Sequence, residues 1–201
     1  MLINIVIMIT IVQVDTIKEF KKLNINVTHV IFGFNLNKKI KLSENITHLT
    51  LGYNFNRKIN LSNNITHVTL GCDFNKKIKL PNRITHVIFG YDLNRKIKLS
   101  NNITHLCIRH SFNQKIKLSN NITHLCIVHD RNQKKILPHN ITHLFIPYDF
   151  NKKIVLPCSI THLIFGNNYY RKKYLQNEIL TQHKKFINNT IIPNHIKIIY
   201  Y

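Results

Sequence analysis

The stretch Ile46–Asn64, ITHLTLGYNFNRKINLSNN, decides the fold because the chain repeats it almost unchanged. Its Thr-His pair recurs at Thr28-His29, Thr47-His48, Thr66-His67, Thr85-His86, Thr104-His105, Thr123-His124, Thr142-His143 and Thr161-His162, always 19 residues apart. A short fixed period without insertions is the signature of stacked repeats, in which each unit buries its apolar side only against its neighbours.

Counting Ile46 as position 1, apolar residues fall at positions 1, 4, 6 and 10, as in Ile65, Val68, Leu70 and Phe74. The alternation at 4 and 6 is strand periodicity and turns 3, 5 and 7 to the opposite face. Position 9 carries Asn35, Asn54, Asp73, Asp92, Ser111, Asp130, Asp149 and Asn168, short polar residues suited to bonding backbone where a strand turns away. The pattern I-x-x-L-x-L-x-x-N-x-F matches that of leucine-rich repeats. The second half of the unit adds inward residues such as Ile59 and Leu61 and is too short for a full helix plus two turns. The expected fold is therefore mainly β: a leucine-rich-repeat-like solenoid with one curved parallel sheet and an extended or irregular outer face.

The domain plan has three parts. Residues 1–26 read as a degenerate capping repeat, with Ile11 at position 4, Ile17 at position 10 and Leu23 at position 16. Residues 27–170 hold about eight turns of 19 residues. Residues 171–201 read as an insertion and a capping strand, because Ile192-Pro193-Asn194-His195-Ile196 echoes the Leu80-Pro81-Asn82-Arg83-Ile84 junction. The sixth repeat departs most: Arg131 takes the Phe position and Lys135-Ile136 inverts the usual order, so a local distortion is expected there.

The recurring F-N-x-x-I core, as in Phe55-Asn56-Arg57-Lys58-Ile59, Phe74-Asn75-Lys76-Lys77-Ile78, Phe112-Asn113-Gln114-Lys115-Ile116 and Phe150-Asn151-Lys152-Lys153-Ile154, follows a T-H-L-x-[LFI]-G strand. Over residues 27–170 this resembles the FNIP repeat, a leucine-rich-repeat relative abundant in slime moulds and giant DNA viruses. Lys or Arg replaces the proline before the Ile. Many such proteins resemble F-box adaptors, but residues 1–27 are too few for an F-box bundle. The resemblance implies protein binding.

Composition sets the alternatives. The chain has 201 residues, 29 Lys+Arg against 8 Asp+Glu, and a formal charge of +21, so an anionic partner must be weighed. It has no Ala, no Trp and a surplus of Ile, Asn and Lys, which a bias toward AT-rich codons would also produce. Positions 12 and 13 align a basic ridge: Lys38, Lys39, Arg57, Lys58, Lys76, Lys77, Arg95 and Lys96 lead it. Such a ridge can track phosphates, yet no nucleic-acid module or interleaved aromatic groove accompanies it.

Positions 5 and 8 carry the variation expected of a binding face, and position 7, usually Gly, becomes Arg109, Val128 and Pro147. Candidate partner contacts are Phe34, Tyr53, Tyr91, His110, His129, Tyr148 and Phe145, which would otherwise form an aromatic seal at the corner. The eight position-3 histidines should form a ladder: a metal stripe, a pH sensor, or a structural stack in which each ring bonds to the next. No third or fourth ligand recurs beside them, which favours the structural stack.

Cys72, Cys107, Cys126 and Cys158 form no C-x-x-C pair; Cys107 and Cys126 share a repeat position and should lie side by side as reduced thiols. The apolar opening MLINIVIMITIVQV is too short to span a bilayer and reads as a buried capping strand. Without a signal peptide, the N-x-[ST] sites read as turn chemistry, and an intracellular, host-cytoplasmic setting is expected. No nucleophile is paired with a base and no phosphate-binding loop is present, so neither catalysis nor a cofactor is expected. The reading is a monomeric protein-interaction scaffold with no membrane partner. Its alternative is an electrostatic binder of nucleic acid or another acidic surface.

Overall fold

The computed structural model describes residues 10–109, 114, 116–127, 137–147, 154–166, 190 and 192–200. Ten parallel strands, paired in sequence order, form one sheet. They are β1 (Thr10–Val14), β2 (Val27–Phe32), β3 (His48–Thr50), β4 (His67–Thr69), β5 (His86–Ile88), β6 (His105–Ile108), β7 (His124–Ile127), β8 (His143–Pro147), β9 (His162–Gly166) and β10 (Lys197–Tyr200). From β2 to β9 the register is 19 residues throughout, with each histidine opposite the next. No helix connects these repeats among the described residues. The chain is thus the mainly β, leucine-rich-repeat-like solenoid that the periodicity predicts.

Burial follows the repeat. Position 4 (Val30, Leu49, Val68, Val87, Leu106, Leu125, Leu144, Leu163) and position 1 (Val27, Ile46, Ile65, Ile84, Ile103, Ile122, Ile141, Ile160) are buried throughout. Leu36, Phe55, Phe74 and Leu93 fill the position-10 column beneath the sheet, and all belong to one continuous core. The described parts of the repeats turn at two corners. At the first, the position-10 amide donates to the position-7 carbonyl, as Phe55 N to Gly52 O at 3.1 Å. At the second, the position-1 amide donates to the position-17 carbonyl, as Ile65 N to Ser62 O at 3.3 Å. Ile196 N donates to Pro193 O in the same way, which leads the chain into β10.

Three columns of asparagine tie the turns together. Position 11 caps backbone: Asn37 Oδ1 accepts from Asn56 N, and Asn56 Oδ1 from Asn75 N, both at 3.1 Å. Position 19 reaches back 20 residues, as Asn45 Nδ2 to Ile25 O at 2.6 Å and Asn102 Nδ2 to Asn82 O at 2.7 Å. At position 9, where backbone capping was expected, Asn54 Nδ2 instead donates to the Asn35 side chain at 2.7 Å. Much of the asparagine surplus therefore satisfies backbone groups that the short turns leave over.

Position 7 is crowded along the stack: Gly52, Gly71 and Gly90 pack against the carbonyl of the preceding glycine, and a Cβ at any of them would stand 1.9 Å from that oxygen. None of these glycines has a positive φ, so space and not backbone freedom requires them.

The N-terminal register is shifted from the one expected. Val12 pairs with Val30 and Ile11 with His29, so Val12 takes position 4, Val14 is fully buried, and Ile11 is 61% exposed. An irregularity between Thr10 and Ile11 accompanies this shift. Helix α1 (Ile17–Lys21) follows, where the outer half of a degenerate repeat was expected to be extended or irregular. Thr16 and Glu19 form a capping box at its start. The ring of Phe20 meets Phe32 edge-on at 5.8 Å and seats the helix on the core. The expected distortion at Arg131 and Lys135-Ile136, and all of the expected insertion at 171–190 except Thr190, lie outside the described residues.

Candidate functional site: the histidine-walled trough

Each histidine of the ladder is set by the threonine before it. Thr66 N and His67 N both donate to Thr47 O, at 2.8 and 3.1 Å. The Thr66 hydroxyl lies 2.8 Å from His67 Nδ1 and 3.3 Å from the Thr47 carbonyl. The hydroxyl donates its single proton to that carbonyl and accepts from the ring, which places the neutral ring's own proton on Nδ1. The same arrangement recurs from Thr28-His29 to Thr161-His162. The rings stack on their neighbours but bond to their own threonines, not to one another as expected.

Ring spacing reveals the curvature. Successive centroids are 3.8 Å apart at His29–His48 and 4.3 Å at His143–His162. Both are below the strand separation of about 4.8 Å. The Phe55 and Phe74 rings beneath the sheet are 6.4 Å apart. Columns closer than the strands on one face and wider on the other place the histidines on the concave side. Successive rings tilt by 15–16° up to His105–His124, then by 10° and 5°.

Packing makes the rings poor bases. Burial pushes His48, His67, His86, His105, His124 and His143 below the ordinary imidazole pKa, and the charge on neighbouring rings pushes further the same way. His67 is lowered to about 4. These six rings are therefore neutral near pH 7. Among the described residues, no group of three or more His, Cys, Asp or Glu side chains could hold a metal ion.

Beside the ladder runs the position-5 row: Thr69, Ile88, Cys107, Cys126, Phe145 and Ile164. With His67 to His143 it lines an almost wholly apolar trough of about 360 Å³ across β4 to β9. At about 4.8 Å per strand, five intervals make it about 24 Å long.

Of the predicted contacts, Phe145 lies in this trough. Phe34 and Tyr53 lie outside it at the first corner, 60% and 37% exposed, with rings stacked at 4.7 Å. Cys72 continues that column but is buried, and Tyr91 is half-buried. His110, His129 and Tyr148 lie outside the described residues. The trough thus draws on position 5 and the histidine wall more than on position 8. A one-residue reading of outward positions could not show this, because only the curvature makes a channel of the face.

The predicted basic residues Lys38, Lys39, Arg57, Lys58, Lys77, Arg95 and Lys96 are exposed and Lys76 is half-buried. Arg57 Nε and Arg95 Nε reach back to the carbonyls of Asn37 and Asn75, at 3.4 and 3.3 Å. Position 15 adds a row that sequence reasoning missed: Lys41, Lys79, Lys98 and Lys117 are all exposed. Its signal was visible, since the residue between inward positions 14 and 16 must face out.

The stacked parallel strands, asparagine columns and concave face define a leucine-rich-repeat-like solenoid. The family model described as FNIP Repeat matches residues 34–73, 58–92 and 132–168, so the chain carries FNIP repeats over those stretches. Among solved structures it is similar to CroV588, described as a novel circular leucine-rich-repeat protein, with 33% identity and a TM-score of 0.64. That likeness covers 89% of this chain and 27% of CroV588, so the chain spans about a quarter of that protein's length. No curated protein matches the chain by sequence. No helix among the described residues is long and apolar enough to cross a membrane.

Proposed function

We propose that the chain is a non-catalytic protein-interaction scaffold whose partner lies along the concave trough. The observation that supports this most is the trough's apolar lining over six strands, since contiguous apolar surface of this kind marks interaction sites. Leucine-rich-repeat-like solenoids present such concave faces to protein partners. The occupant that suits it is a protein segment offering an apolar edge to Ile88, Phe145 and Ile164. The stacked Phe34 and Tyr53 extend the contact at the corner.

A second reading is favoured by the exposed basic rows at positions 12, 13 and 15: electrostatic attachment to nucleic acid or another acidic surface. The two readings use different residues and respond differently to salt. Capture from host-cell lysate at low and high salt, with nuclease added, separates them. The scaffold reading expects a discrete protein that survives both treatments and is lost in Phe145→Asp and Ile164→Asp variants. Retention that vanishes with salt or nuclease, and with Lys→Glu changes at 38, 39, 58 and 77, would replace it with the electrostatic reading.

A further inference from the structure

We propose that Cys107 and Cys126 form a peroxide-reactive thiol pair that bridges β6 and β7 reversibly at the middle of the trough. The two residues are register partners on adjacent parallel strands. Both occupy position 5, both are half-buried, and both line the trough, where a small oxidant reaches them. The Cys126 thiol is hydrogen-bonded to Cys107, which favours the thiolate on Cys107 and holds the proton on Cys126.

Arg109 completes the set. It stands at position 7, where Gly33, Gly52, Gly71, Gly90 and Gly166 bring no side chain, and it hydrogen-bonds to Cys107. A cation beside a partly exposed thiol is the environment that makes cysteine reactive. Cys158 is exposed with no cysteine at the matching place in the preceding repeat, and Cys72 is buried at the first corner, so neither shares this arrangement.

The chemistry closes with hydrogen peroxide as the only co-reactant. The Cys107 thiolate attacks one peroxide oxygen and the O–O bond breaks. Cys107 becomes a sulfenic acid, and the departing hydroxide takes a proton to leave as water. The Cys126 sulfur then attacks the sulfenic sulfur, the S–O bond breaks, and the second oxygen leaves as water with the Cys126 proton. Two thiols are oxidised to one disulfide and one peroxide is reduced to two waters. A strand spacing of about 4.8 Å lies inside the Cα range of disulfides, about 4.4–6.8 Å. Side chains standing parallel on neighbouring strands must lean together to meet, so the bridge is strained and a dithiol reductant reopens it.

The test is stoichiometric peroxide on the native chain, read by intact mass and peptide mapping. The expected result is a loss of two hydrogens mapped to a Cys107–Cys126 cross-link, formed before Cys158 is modified and reversed by dithiothreitol. Cys126→Ser should stop at one added oxygen on Cys107, trapped by a 1,3-dione. Arg109→Gln should slow the reaction several-fold with the fold retained by circular dichroism. Oxidation that begins at Cys158 or between molecules, or a Cys126→Ser variant that leaves Cys107 unmodified, would overturn the proposal.

Discussion

Ser62 shows how closely a single residue's fate depends on its place in the stack. Its hydroxyl is buried without a hydrogen-bond partner, whereas the equivalent Ser100 Oγ accepts from Asn102 N at 3.2 Å and donates to Asn82 O at 3.1 Å. An unpaired buried hydroxyl costs about 1–3 kcal/mol, while a made bond contributes about 1 kcal/mol. Ser62→Ala should therefore raise stability and Ser100→Ala lower it by about 1 kcal/mol, as urea melts would show. The histidines carry a pH dependence whose sign follows from their lowered pKa values. The unfolded chain takes up protons near pH 6.5, before the packed rings do. Stability is then full above about pH 6.5, falls on acidification, and levels off near pH 4, where His67 also titrates. On protonation, Nδ1–H keeps donating to the threonine oxygen, the hydroxyl keeps its bond to the carbonyl, and Nε2 takes the added proton, so the stack need not break. Thermal melts between pH 7 and pH 4 should show a falling midpoint with retained β-sheet signal; a flat profile would refute the ladder's electrostatics.

Strands and corners are where sequence and structure can be compared most directly. The strand positions were legible because a period of two leaves little choice once Leu49 and Leu51 point inward. The first corner was less so. Position 7 reads as an outward strand position that is usually glycine, and its glycines let one repeat approach the next. Gly71→Ala, whose Cβ would meet the Gly52 backbone oxygen, should cost about 1–3 kcal/mol through overpacking. Gly166→Ala meets only the Phe145 ring edge, which can swing, and should cost less in the same denaturation assay. Helix α1 left a readable trace in Thr16-x-x-Glu19, a capping box obscured by the expectation of another repeat. The position-11 asparagine was missed because several asparagines per unit compete for one role, and only distances such as Asn75 N to Asn56 Oδ1 separate them. The trough was half visible: the position-5 row could be read, but the convergence of the histidine wall depends on curvature, which has no single-residue signature.

The whole molecule is a one-dimensional stack, so damage should stay local. Phe74 is fully buried and touches the column through its neighbours, with Phe55 at 6.4 Å. Phe74→Ala should cost about 3–5 kcal/mol. Because repeats contact only their neighbours, hydrogen exchange should accelerate around β3 to β5 while β8 and β9 keep their protection. Uniform acceleration across the chain would mean that the stack behaves as one cooperative block. The charge of +21 belongs to this scale as well. Its exposed basic rows lie away from the neutral trough, which lets one solenoid keep an apolar docking channel and still repel its own copies.

The invariant 19-residue register has a further consequence for how the chain finds its fold. Sliding one strand past its proper neighbour by a whole unit restores every threonine, histidine and asparagine column, so the ladders carry no address. What distinguishes the correct frame is irregularity: the capping box before β2, the cysteine pair facing across β6 and β7, and Arg109 in a column of glycines. The features that look like departures from the pattern are the landmarks by which a chain of near-identical rungs can count.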